Sequence, residues 1–184
     1  ERDLIEYSYQ VAGTVGLMMQ PLILVNDKEA NKHAVDLGIA MQLTNIARDI
    51  YEDAAMNRVY LPKEWLKDIS IEQLTNSIQQ IQSQMSIIIK KLIDLSEVYY
   101  QNGFSGMKYI PIKTRLAIFF AAKIYRGIGM KIKSNQYQYS NKRVYLNKFN
   151  KLWVTIKSLP EFIFLKRIYR SYTPIRESFQ NENL

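Results

Sequence analysis

An all-α helical bundle is the fold class this sequence predicts, on three observations. Only seven Gly and five Pro are spread over 184 residues. Apolar side chains recur at three- and four-residue steps instead of alternating, the period that gathers them on one face of a helix. With 47% hydrophobic residues the chain can bury one sizeable core, and one domain is the default at this length.

The elements follow in order. Residues 3–19 read as a helix, with Leu4, Val11, Val15 and Met18 near one stripe and Pro21 soon after. Residues 25–31 read as a polar turn. Residues 34–53 form a second long pattern with no Pro inside it, apolar at Leu37, Met41, Leu43, Ile46, Ala47 and Ile50, and residues 57–62 close it. Residues 70–100 are predicted as a third helix, seamed by Leu74, Ile78, Ile81, Met85, Ile88, Leu92 and Leu95, with Asn102, Gly103 and Gly106 as its terminators. In residues 111–132, Leu116, Phe119, Phe120, Ile124 and Ile128 suit a deeply buried helix. Residues 134–141 read as a polar loop. A last helical segment through Trp153 and Ile156 is expected to break at Pro160 and resume in EFIFLKRIYR.

Several classes of chemistry are excluded by composition. There is no cysteine, so neither disulfides, thiolate zinc sites nor thiol nucleophiles are available, and function must come mainly from carboxylates, amides and phenols. No apolar run reaches the roughly 18 residues of a membrane span, and no signal peptide is recognisable, which leads to the expectation of a cytoplasmic protein, peripheral to a membrane at most. The charge is uneven: residues 1–107 hold nine basic and fourteen acidic residues, residues 108–184 sixteen and three. A basic half of this strength suits a polyanion: nucleic acid, lipid headgroups or diphosphates. Glu1 stands in the middle of a helical pattern, so the natural chain is expected to begin further upstream.

The informative stretch is LGIAMQLTNIARDIYEDAAMNRVYLP, residues 37–62. Gln42, Asn45, Asp49 and Asp53 are separated by three, four and four residues and form one polar stripe on an otherwise apolar helix. Carboxylates at i and i+4 repel each other unless a cation sits between them. Hard oxygen donors without His or Cys suit Mg2+, with Mn2+ as the alternative. A bare D-x-x-x-D is more often a solvated helix face, so the pattern around it carries the weight.

That pattern, L-G-x-x-x-Q-x-x-N-x-x-R-D-x-x-x-D-x-x-x-x-R-x-Y-x-P, resembles a signature of the squalene/phytoene synthase family, and YSYQVAGTVG at residues 7–16 resembles the other signature of that family. Softer similarity lies at AAKIYRGI around Tyr125 and in NKRVYLNKFNKL, residues 141–152. The resemblance divides the chain into residues 1–152, the larger C-terminal part of a synthase domain, and residues 153–184, a basic and apolar extension.

The resemblance implies an isoprenoid (terpenoid) synthase-type helical bundle that joins two prenyl diphosphates head to head through a cyclopropyl diphosphate. Asp49, Asp53 and Asn45 would hold the metal, Gln42 would position water or diphosphate, and Arg48 and Arg58 would face the diphosphate. Tyr7 and Tyr125 would line the site; Val11, Gly13 and Val15 would contact the prenyl chain. Open alternatives are a structural salt bridge for Arg48, core packing for Tyr125, and a tight helix contact for the small residues Ala12, Gly13 and Gly16. The first aspartate motif of the family is absent from these residues, so the 184-residue chain alone is expected to be inactive.

Two geranylgeranyl diphosphates giving phytoene are the first choice of reaction; squalene or dehydrosqualene synthesis from farnesyl diphosphate is the alternative. No NADPH motif is present. A non-catalytic assembly factor is a further alternative. For the basic tail, the apolar Trp153, Ile156, Leu159, Phe162, Ile163 and Phe164 favour an anionic membrane surface over nucleic acid, with packing on the bundle equally open. His33 is expected to be exposed.

Overall fold

In the computed structural model, which describes residues 1–165, the chain enters through a helical rod. It comprises α1 (Arg2–Ser8), a π-helical turn (Tyr9–Gly13) and α2 (Thr14–Leu22). Then follow α3 (Ala30–Ala55), the short α4 (Lys63–Leu66) and α5 (Ile71–Asn76), α6 (Ile78–Ser105), a 3-10 turn (Gly106–Tyr109), α7 (Ile112–Ser134) and α8 (Lys148–Ile163). No strand occurs among the described residues. Helix α3 is the axis: α6 lies along it, the entry rod, α5 and α7 pack on its other sides, and α8 packs on α7. Ile39, Ala40 and Leu43 of α3 meet Met85 and Leu92 of α6 and Phe119 of α7 in a core closed to water. Each large apolar side chain buried there stabilises the fold by about 1.5–3 kcal/mol.

Three helices end in the same way, and each ending aims the chain that follows. At the end of α3, Asn57 takes φ 57°, its N–H donates to the Ala54 carbonyl (2.9 Å), and the Arg58 N–H donates to the Asp53 carbonyl (2.8 Å). This is a Schellman motif built on Asn, one of the few side chains that tolerate the left-handed region. Leu24 after α2 and Gln136 after α7 repeat it, with φ 59° and 56°. The turn at Gln136 sends the next loop back across the bundle. There the Tyr139 hydroxyl donates to the Leu74 carbonyl (2.7 Å).

The structure differs from the sequence expectations at several places. The third pattern breaks at Ser77 into α5 and α6; Ser70 and Gln73 cap α5 reciprocally, and Tyr139 takes up a carbonyl near the break. Gly103 lies inside α6 instead of ending it. A methyl group there would stand 2.8 Å from the Leu37 side chain, so its function is close approach of α3. Leu116 is exposed, and α7 is buried on one side only. Pro160 does not interrupt α8, because it removes a single donor in the last turn. His33 is 4% exposed, its Nδ1 2.8 Å from the Asn102 carbonyl and 3.0 Å from Ser105 Oγ, and burial pushes its pKa down. Helix α8 carries the chain past residue 152 without a break. The EFIFLKRIYR segment beyond Leu165 lies outside the described residues.

Helix α8 is fastened to α7 by a buried ion pair. Lys123 is 4% exposed, bonds Glu161, and sets its ammonium 4.1 Å from the centre of the Phe104 ring. Burial pushes Lys123 down to about 8, with Glu161 opposing the shift. Between pH 8 and 10 the unfolded chain therefore binds more protons at this site than the folded one, and stability rises with pH through that window. Chemical denaturation of the wild type and Lys123→Met across that range should show the rise in the former and a flatter profile in the latter.

Candidate functional site

Two features adjoin along α3: a polar face towards its C-terminal end and an apolar cavity beside its N-terminal half. The polar face carries the predicted stripe. Asn45 and Gln42, one turn apart, share a long 3.5 Å contact, and Asn45 Oδ1 is buried without a hydrogen-bond partner among the described residues. Leaving such an acceptor unmet costs about 1–3 kcal/mol, which is what a ligand's donor or cation would recover.

Asp49 is held from two sides. Arg48 donates Nε to Oδ1 (2.7 Å) and Nη2 to Oδ2 (2.5 Å); Arg143 donates Nε to Oδ1 (2.8 Å) and Nη2 to Oδ2 (2.9 Å). Such fork-to-carboxylate pairs are strong and geometrically specific. Burial works to raise the Asp49 pKa, but the two guanidinium groups outweigh it and hold the carboxyl below its usual range. Asp53, one turn on, goes the other way: burial first, then the charge of Asp49, raise its pKa. The stripe therefore holds a carboxylate with two cations beside a carboxylate that lacks enough of them.

Around Asp53 the Schellman turn brings Arg58 back, with an exposed side chain whose charge opposes the rise at Asp53. Tyr60 follows, its ring stacked on Tyr7 at 4.8 Å between centroids. Burial, then Tyr60 and Asp53, push the Tyr7 hydroxyl up, so it stays a neutral donor. Tyr125 on α7 is half-buried on the side of Arg48, whose charge it favours. The structure thus brings Tyr7, Gln42, Asn45, Arg48, Asp49, Asp53, Arg58 and Tyr125 to one face. It also adds Arg143 and Tyr60, which sequence reasoning left without a role; Arg143 lies 94 positions from Asp49, and its signal was the basic segment NKRVYL. The salt-bridge alternative for Arg48 holds in this state.

The cavity has a volume of about 380 Å3, and its walls are mostly apolar. Val11, Val15 and Met19 line it from the entry rod, Leu37 and Met41 from α3, and Met107 and Ile118 from the opposite side. Its small residues serve close packing and access together. A methyl on Gly16 would lie 2.3 Å from the Ala34 carbonyl oxygen, and one on Gly38 2.3 Å from that of Ala12. Gly13 faces Tyr9 and Val35 and does not line the cavity. Val11 and Val15 do. The buried Gln20 in this wall has its Nε2 without a partner among the described residues. Gln20→Leu is expected to raise stability by about 1–2 kcal/mol, seen as an increase in Tm.

The donor set fits a hard divalent cation: two carboxylates at i and i+4, one short of compensating charge, and a buried amide oxygen with no partner. Among the described residues no three His, Cys, Asp or Glu side chains converge, so this face does not by itself gather a complete set of such ligands.

The squalene/phytoene synthase family matches residues 1–150. Phytoene synthase of Pseudescherichia vulneris is 42% identical over 132 residues, 72% of this chain and 43% of that protein. The Thermus thermophilus enzyme of the same name is 37% identical over 167 residues, covering 91% and 56%. The crystal structure of a dehydrosqualene synthase in complex with ligand superposes with a TM-score of 0.72 at 31% identity, over 85% of this chain and 55% of that one. The chain spans about half the length of these relatives. With both signatures on one helical bundle, a carboxylate-bearing polar face beside an apolar cavity, and relatives of this closeness, the chain belongs to the squalene/phytoene synthase family.

Proposed function

We propose that the complete protein condenses two prenyl diphosphates head to head, with two geranylgeranyl diphosphates giving phytoene in carotenoid synthesis as the specific reaction. One observation carries the reading: the polar stripe and the cavity share α3. From Asn45 down to the cavity wall at Ala30 is fifteen residues, roughly 22 Å of helix, which gives a long isoprenoid tail room beside α3 when its diphosphate lies at the stripe.

Asp49, Asp53 and Asn45 would hold Mg2+, or Mn2+, at this face. The bound cation supplies charge to the diphosphate oxygens as the allylic C–O bond breaks. Arg48 and Arg143 offer bidentate donors to the same oxygens, and Arg143, whose side chain is 52% exposed, is free to swing from Asp49 to the diphosphate. Tyr7, kept protonated, donates a hydrogen bond or presents its ring to the allylic cation. The apolar walls exclude water that would otherwise quench that cation. No nucleophilic side chain is required, because the second substrate's double bond forms the new C–C bond. The 184-residue chain alone, with one side of the metal site, is expected to show no turnover. No helix among the described residues is long and apolar enough to cross a membrane; lipid substrates suit peripheral contact with one.

The test uses protein expressed from the complete open reading frame, incubated with geranylgeranyl diphosphate and Mg2+ with and without EDTA, products read by mass. Metal-dependent phytoene supports the reading. Coupled product from farnesyl diphosphate alone shifts it to dehydrosqualene or squalene, and no product from either favours the non-catalytic assembly role.

A further inference from the structure

Helix α8 has two apolar faces, and only one of them is used by the bundle. Val154, Ser158, Glu161, Phe162 and Leu165 turn inward toward α7, at least half-buried. On the opposite side Phe149, Trp153, Ile156 and Ile163 recur at helical spacing and stand 81%, 58%, 48% and 73% exposed. At 100° per residue the two stripes point about 180° apart, so no tilt of α8 on α7 buries both. Lys148 and Lys157 flank the outer stripe, one on each side, and Lys157 lies over the Trp153 ring at 4.9 Å. From residue 135 to 165 the chain has five basic residues and a single acid, and that acid, Glu161, is turned inward onto Lys123.

We infer that the outer face of α8 is a membrane-docking surface that takes anionic lipid headgroups, with Phe149, Trp153, Ile156 and Ile163 entering the interface and Lys148 and Lys157 meeting phosphate. The charge decides the occupant. A protein partner would need an acidic apolar groove, whereas an anionic bilayer offers acid and apolar layers at the depths where a lysine-flanked aromatic helix presents its counterparts. The biological purpose of the contact rests on the proposed function, since prenyl diphosphates and their products partition into membranes; the surface itself rests on α8.

The experiment is vesicle flotation of the complete protein, with phosphatidylcholine vesicles with and without phosphatidylglycerol, alongside the prenyltransferase assay. Wild type should float with the anionic vesicles and largely lose binding at high salt. The double variant Phe149→Ser, Trp153→Ser should weaken it by about tenfold or more, and Lys148→Gln, Lys157→Gln should abolish the preference for the anionic lipid. In a Trp65→Phe background, Trp153 emission should shift to the blue on vesicle addition. Unchanged melting curves exclude misfolding, because all four sites are exposed. Wild type that stays unbound, variants that bind as wild type does, or a dimer that the double serine variant dissociates would each overturn the inference. Vesicle binding without turnover would overturn the proposed function and leave this surface standing; turnover without binding would do the reverse.

Discussion

Asp53→Asn in the complete protein is expected to lower kcat/KM by on the order of 100- to 1000-fold while leaving Tm unchanged or slightly higher. On the proposed function, the loss follows from removing one charged oxygen donor from the cation that would stabilise a leaving diphosphate. The stability outcome has a separate cause. Burial and the neighbouring Asp49 raise the Asp53 pKa, so its folded-state charge is unfavourable near neutral pH, and a neutral isostere removes that burden. Asp49→Asn should instead reduce both quantities, because it leaves Arg48 and Arg143 facing a neutral amide. Steady-state kinetics over a Mg2+ titration, run beside thermal melts, separates the two variants. Equal melting losses for both would mean that the stripe is structural and that the metal assignment fails.

Gly38→Ala should be among the most damaging single methyls in the fold. The added carbon would stand 2.3 Å from the Ala12 carbonyl oxygen and 2.7 Å from its carbon, both backbone atoms of the π-helical turn. Unlike a flexible side-chain end, this backbone moves only if the entry rod shifts away from α3. Overpacking of this kind costs about 1–3 kcal/mol or more, a fall in Tm of several degrees at this chain length. The rod also forms one wall of the cavity, so binding of a prenyl diphosphate should weaken with it. Gly129→Ala, whose nearest atom would lie 3.5 Å away, is the matched control and should melt close to wild type.

The polar stripe was legible because a helix converts spacing directly into position: steps of three and four put Gln42, Asn45, Asp49 and Asp53 on one face whatever the rest of the chain does. The same periodicity marked α3 and α6. It was silent on the π-helical turn at residues 9–13, where the motif was visible and the extra residue in the turn was not. It misjudged His33 and Gly103 for a shared reason. Hydrophilicity and chain-breaking tendency describe a residue alone, whereas these two are set by contact between helices: His33 is capped by the end of α6, and Gly103 makes room for Leu37.

By itself, then, the sequence determined the all-α class, the order of the long helices, the family signatures and which carboxylates share a face, all of which follow from local periodicity. The tertiary structure decided that Arg143 reaches Asp49 across 94 positions, that Tyr60 stacks on Tyr7 beside Asp53, and that the cavity opens next to the stripe. It also decided which of the two apolar stripes of α8 is buried. These depend on how helices cross and how loops return, and crossing is governed by the shapes that meet, which no spacing along one chain encodes.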